Sequence, residues 1–118
     1  MENVFRLNAS PYADVNAIHV YVRYGKRDGG YVVEAEPLHY YFDGDHAGLY
    51  SKHFGRKYYQ HGGDGVAKVF PCGRRSAKRE AEAEEYCNAN ALDIAEKYLS
   101  IILHKLNITD DIHILKEA

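Results

Sequence analysis

Residues 18–24, Ile-His-Val-Tyr-Val-Arg-Tyr, alternate strictly between two kinds of side chain. Ile18, Val20, Val22 and Tyr24 fall on one side, and His19, Tyr21 and Arg23 on the other. Successive side chains of a strand point to opposite faces, so this period of two predicts a half-buried β-strand. Gly25-Lys-Arg-Asp-Gly-Gly30 follows, and a D-G step between two β-rich runs is a hairpin signal. Residues 31–36, Tyr-Val-Val-Glu-Ala-Glu, form the expected returning strand. Pro37 has no N–H to donate and is expected to break that ladder.

A second pattern constrains the C-terminal part. Ser76 is suited to cap a helix, since its hydroxyl can accept from a first-turn N–H. Glu80, Glu82, Glu84 and Glu85 then place negative charge at the positive end of the helix dipole. Ala83, Cys87, Ala91, Ile94, Tyr98, Ile101 and Ile102 recur at three- and four-residue spacing, which makes one apolar stripe. The pattern predicts a helix over about 77–106, with Asn107 as its stop. Such a helix spans roughly 45 Å, more than one small sheet covers. Either it breaks near Asn88-Ala-Asn90 or it packs on a second protomer.

Between these parts the chain reads as short strands and turns. Residues 38–42 look extended, 48–54 and 56–60 suggest a hairpin around Gly55, and 66–70 suggest a further strand. Residues 4–8 could be a first strand, 8–14 a loop, and 112–115 a last strand. The expected fold class is α+β: a mostly antiparallel β-sheet packed against one long C-terminal helix. The 118 residues make a single domain, with a β-rich insertion over about 39–75.

Charge is unevenly distributed. The chain is nearly neutral at −2, yet residues 51–79 hold eight Lys or Arg and one acid, Asp64. Their net charge is +7, against −9 for the remainder. Phe54, Tyr58, Tyr59 and Phe70 are interleaved with these cations, and glycines surround them. Cations bind anions, rings stack on flat heterocycles, and glycines allow close backbone approach. The combination suits a nucleotide or nucleic acid, or else it is the basic outer face of a hairpin. Arg56, Arg74 and Arg75 are the candidate phosphate holders, because a guanidinium fork matches phosphate geometry. Phe54, Tyr58 and Phe70 are the candidate stacking rings. Asn88 and Asn90 either mark a helix kink or read a base edge or ribose hydroxyl.

Other chemistries find less support. The histidines and aspartates of the middle lack H-x-x-x-H or H-E-x-x-H spacing, so no metal is expected. There is no G-x-S-x-G elbow, and residues 62–65, Gly-Gly-Asp-Gly, lack the continuation of a P-loop. His19 or His61 with a lysine could in principle cleave a phosphodiester, but no spacing singles them out. No cofactor and no catalytic residue is assigned. No apolar run approaches a membrane span and the first residues lack a signal-peptide pattern, so a cytoplasmic location without a membrane partner is expected. Cys72 and Cys87 are expected to be free thiols there. Eleven tyrosines fit either a binding surface or strands.

The run from Val20 to Leu38, Val-Tyr-Val-Arg-Tyr-Gly-Lys-Arg-Asp-Gly-Gly-Tyr-Val-Val-Glu-Ala-Glu-Pro-Leu, resembles the opening hairpin of HicB-type antitoxin domains. Residues 81–85, Ala-Glu-Ala-Glu-Glu, are similar to the start of their helix. The resemblance covers about 45 residues in two pieces. This chain departs by inserting the basic, aromatic segment and by lacking a recognisable DNA-binding helix pair. An enlarged, oligomerising version of the fold occurs in the phage Thoeris anti-defence sponge family, which sequesters cyclised ADP-ribose and some cyclic oligonucleotides without cleaving them. The architecture is similar, and no binding residue carries over by motif. The resemblance implies a non-catalytic, homo-oligomeric protein that sequesters a small anionic nucleotide signal and antagonises a bacterial immune pathway. The alternative is a HicB-like antitoxin or protein-binding inhibitor module. A nucleic-acid partner is a further reading, against which the acidic remainder of the chain argues.

Overall fold

In the computed structural model, residues 3–12, 14–41, 48–49 and 63–116 are described. Strands β1 (Asn3–Arg6), β2 (Ala17–Gly25) and β3 (Gly30–Leu38) come first, followed by the two-residue strands β4 (Tyr40–Tyr41) and β5 (Gly48–Leu49). Strand β6 (Val66–Pro71) and helix α1 (Ala77–Lys105) complete the order. Strands β1, β2, β3 and β6 form one antiparallel sheet in the order β1-β2-β3-β6, and β4 pairs with β5 separately. The expected α+β class is therefore found: a four-stranded antiparallel sheet carries the C-terminal helix. The expected hairpin around Gly55 lies outside the described residues.

The D-G turn forms where the sequence places it. Gly25 faces Gly30 across the ladder, and the turn is closed by bonds from Asp28 N to Gly25 O (3.1 Å) and Gly29 N to Lys26 O (3.2 Å). Gly29 has φ 84°, a left-handed conformation that glycine adopts without steric cost. Gly30 is needed for a different reason. A Cβ there would stand 2.1 Å from the Phe70 carbonyl oxygen, so β6 could not approach.

Pro37 does not end β3, which continues to Leu38 with Pro37 opposite Ile18. The reason lies in the direction of the missing N–H. Ala35 donates to Gly65 O at 2.8 Å, so Ala35 and Pro37 turn their nitrogens toward the β6 side. Strand β6 starts at Val66, opposite Glu34, so its ladder has no rung at Pro37. The proline costs the sheet no ladder bond.

One face of the sheet carries α1. Ile18, Val20, Tyr31, Val33 and Ala35 share a core with Ala83, Cys87, Ala91, Ile94, Ala95, Tyr98, Leu99 and Ile102. Of the expected stripe, Ile101 is half-buried and the rest are buried. Ser76 caps the helix as expected, accepting from Arg79 N at 3.3 Å. At the other end Asn107 is left-handed at φ 55°, with Asn107 N bonding His104 O and Ile108 N bonding Leu103 O. That is the paired closure of a Schellman stop, with asparagine in the usual glycine position.

The helix is continuous through Asn88 and Asn90, so it does not break there. Its buried residues run from Ala83 to Ile102, roughly 30 Å of axis. The chain after the helix covers the far end: Ile112 and Ile114 join the same core, with Leu103, Leu106 and Ile108 packed against it. Residues 112–115 do not form the expected strand. They make one isolated antiparallel bridge, Leu7 to Ile114, with Leu115 N bonded to Arg6 O at 2.8 Å. This tail lies beside residues 6–8, at the end of β1.

Burial pushes the Cys87 thiol up, with Glu84 adding to the shift and a hydrogen bond from Asn3 opposing it. The folded chain thus keeps that proton to higher pH than the unfolded chain. Its contribution is complete below the unfolded thiol value of about 8.5 and fades as pH rises through the folded value. The stability gap between wild type and Cys87→Ala should therefore narrow in urea melts taken from pH 7 to pH 10, and a constant gap would contradict the shift. Gly30→Ala should lower the urea midpoint by the equivalent of about 1–3 kcal/mol, with an unchanged slope.

Candidate functional site

The strand register gathers aromatic rings into a row. Tyr24 on β2 faces Tyr31 on β3, which faces Phe70 on β6, so the three stand side by side on the helix face. Tyr24 and Tyr31 meet edge-on at 5.1 Å between centroids. Phe70 meets Tyr86 of α1 edge-on at 5.7 Å. Cations sit at both ends of the row. The Arg75 guanidinium lies 4.8 Å from the Tyr24 centroid, and Lys68 Nζ lies 5.4 Å from Phe70 and 5.3 Å from Tyr86. Such placements are favourable because a ring face carries partial negative charge. The Tyr31 hydroxyl accepts from Ser76 N at 3.0 Å, which pins the start of the helix over the row.

Beside Phe70 an open groove of about 400 Å³ runs between β6 and α1. Lys68, Phe70, Glu82, Glu85, Tyr86, Ala89 and Asn90 line it. Tyr86 also forms a wall of a smaller hollow of about 250 Å³ floored by Ile94, Tyr98 and Ile101, with Lys97 and Asp64 among its lining residues. The structure therefore brings two of the sequence-predicted residues, Phe70 and Asn90, to one groove. Arg74 and Arg75 are exposed on the short connection between β6 and the helix. Asn88 goes elsewhere: its Oδ1 accepts from Asn3 Nδ2 at 2.9 Å, over the β1 edge. Asn90 donates to Tyr86 O at 2.9 Å, one turn back in the helix. Phe54, Arg56 and Tyr58 lie outside the described residues.

The sheet face opposite the helix holds a polar strip. Its members are His19, Tyr21 and Arg23 from β2 and Glu34 and Glu36 from β3. His19 Nδ1 is 3.2 Å from Glu36 Oε2, and Glu36 is fully buried. The Tyr21 hydroxyl donates to Glu34 Oε2 at 2.5 Å. Arg23 reaches Glu34 at 3.0 Å and Asp28 at 2.9 Å. Its guanidinium is held above the usual arginine range, first by the hydrogen bond to Glu34, with burial opposing and Asp28 adding. Residues 18–24 were expected to be half-buried, yet His19 on their polar side is buried, as is Glu34 on β3. Pairing makes this tolerable, since a buried charge is costly when it lacks a partner.

Among the described residues, no group of three or more His, Cys, Asp or Glu side chains is placed to hold a metal ion. Among the same residues, no helix is long and apolar enough to cross a membrane. No protein family matches the chain, and neither a curated protein nor a solved structure does.

Sequence reading missed Tyr24 as a member of the aromatic row and Tyr86 as a wall of the groove. A strand ring and a helix ring carry no local signal of what they meet across the fold. The polar strip was partly legible, because alternation already separated His19, Tyr21 and Arg23 from the core face. Glu34→Ala should lower stability by about 1–3 kcal/mol, because it strips the acceptor from Tyr21 and Arg23. The partial exposure of Arg23 keeps the loss below that of a fully buried pair. Adding Tyr21→Phe to that variant should cost little more in the same denaturation assay, since the shared bond is already gone.

Proposed function

We propose that this chain is a non-catalytic binding protein that sequesters a small anionic nucleotide signal, a cyclised ADP-ribose or a cyclic oligonucleotide. One observation carries the reading. Lys68, Phe70, Tyr86 and Asn90 line a single open groove between β6 and α1, and Arg74 and Arg75 are exposed on the short connection that joins those two elements. Rings with a cation beside them suit a flat heterocycle. Glu82 and Glu85 would repel a phosphate in the groove, but they can accept from a ribose hydroxyl or a base amino group. Phosphates are therefore directed to the helix start, where arginine forks match them.

The resemblance of the β2–β3 hairpin to HicB-type domains, enlarged as in the Thoeris anti-defence sponges, supports the same reading. It adds a homo-oligomeric assembly, a cytoplasmic setting and the role of antagonising a bacterial immune pathway. The protein would hold its ligand and release it unchanged.

The test is thermal stabilisation by a panel of cyclic nucleotides and cyclised ADP-ribose isomers, followed by heat release and mass spectrometry. A ligand at a hundredfold its Kd should add about 2.7 kcal/mol of stability. Arg74→Ala combined with Arg75→Ala should abolish the shift while leaving the melting of the free protein nearly unchanged. Unchanged affinity in that double variant would sink the assignment, and recovery of a cleaved product would make the protein an enzyme.

A further inference from the structure

The fold joins two basic segments that lie far apart in the sequence. Lys26 and Arg27 occupy the β2–β3 turn, whereas Arg74, Arg75, Lys78 and Arg79 flank the start of α1. Cys72 N bonds Gly29 O at 2.9 Å, which ties the end of β6 to the turn. Arg74 is two residues beyond Cys72, so its Cα lies within roughly 7 Å of that tie. Ser76 N on the Tyr31 hydroxyl holds the helix start against the same end of the sheet, and Arg75 rests on Tyr24. All six cations are exposed.

The acids nearby do little to cancel this field. Asp28 is engaged by Arg23, outside the six, at 2.9 Å, whereas Glu82 pairs with Arg79 at 2.9 Å and offsets one of them. Glu80 adds a further carboxylate in the first helical turn. The chain is slightly acidic overall, yet six of its fifteen Lys and Arg residues belong to these two neighbouring segments.

We infer that this pole is a docking surface for the phosphate backbone of a polynucleotide. The inference goes beyond the nucleotide-binding reading, since it requires Lys26 and Arg27, which do not line the groove. A small nucleotide carries too few phosphates to engage six cations on two arms. A polynucleotide offers phosphates at regular intervals, and each contact releases counterions. An anionic lipid surface fits less well. Among the described residues, the exposed large apolar side chains, Val66, Leu92 and Leu115, lie on the far end of β6, the outer helix face and the C-terminal tail, and none adjoins the pole to insert beside it.

The experiment is fluorescence anisotropy with labelled 20-mers of duplex RNA, duplex DNA and single-stranded RNA across a salt series, with vesicles of anionic lipid as a separate arm. Wild type should bind at least one 20-mer. Lys26→Ala with Arg27→Ala should weaken that binding more than tenfold and reduce the log–log salt slope by about 2. The same variant should keep its melting temperature and any thermal shift with the small-nucleotide panel. A failure of the pole is thereby separated from a failure of the groove. A Lys26→Glu variant should weaken binding further by repulsion. No 20-mer binding at tens of micromolar protein, binding by the turn variants equal to wild type, or binding to vesicles alone would each overturn the inference.

Discussion

The seating of α1 on β2 and β3 is the contact from which the other geometry follows. Small side chains make it possible: Ala83, Cys87, Ala91 and Ala95 are all buried along the seam. They let the helix come close, while Tyr98, Leu99 and Ile102 fill the wider part of the interface. Close packing of this kind fixes position as well as adding stability. The helix start cannot drift, because Ser76 is bonded to the Tyr31 hydroxyl. Arg74 and Arg75 are therefore presented at a set place beside the aromatic row, and Tyr86 is set against Phe70.

The hairpin register is the second constraint. With a side-chain period of two, a one-residue slip would exchange the faces of β2 and β3. His19, Glu34 and Glu36 would then enter the helix core, and Ile18 and Val20 would leave it. The register prevents this twice over, once through apolar burial on the helix face and once through the His19–Glu36 and Arg23–Glu34 pairs on the other. Those pairs need not add much net stability, since taking charges out of water is costly. Their value lies in making the alternative register worse.

The margins of the sheet also bear on what the molecule can bind. The C-terminal tail lies beside the end of β1, bonded at Arg6 and bridged at Leu7. Strand β6 is short, has a register irregularity opposite Val33 and Glu34, carries Lys68, and ends in Pro71. Each of these makes an edge a poor template for another strand. Recognition at this side therefore falls to side chains in the seam with α1 rather than to backbone pairing.

Local patterns in the sequence determined the elements. Alternation over residues 18–24, the D-G turn, the Ser76 cap and the apolar stripe of α1 each act within a few residues, so each was legible without the fold. So was the uneven charge of residues 51–79, and with it Phe70, Arg74 and Arg75 as candidates. Tertiary structure decided what these residues face. The row Tyr24–Tyr31–Phe70 depends on the register of three strands, and Tyr86 joins it through helix packing. Lys26 and Arg27 meet Arg74 and Arg75 through the Gly29–Cys72 bond, a contact between positions more than forty residues apart. Pro37 shows the same division on a smaller scale. Its lack of an N–H could be read from the sequence, but which neighbour that nitrogen would face depended on where β6 begins.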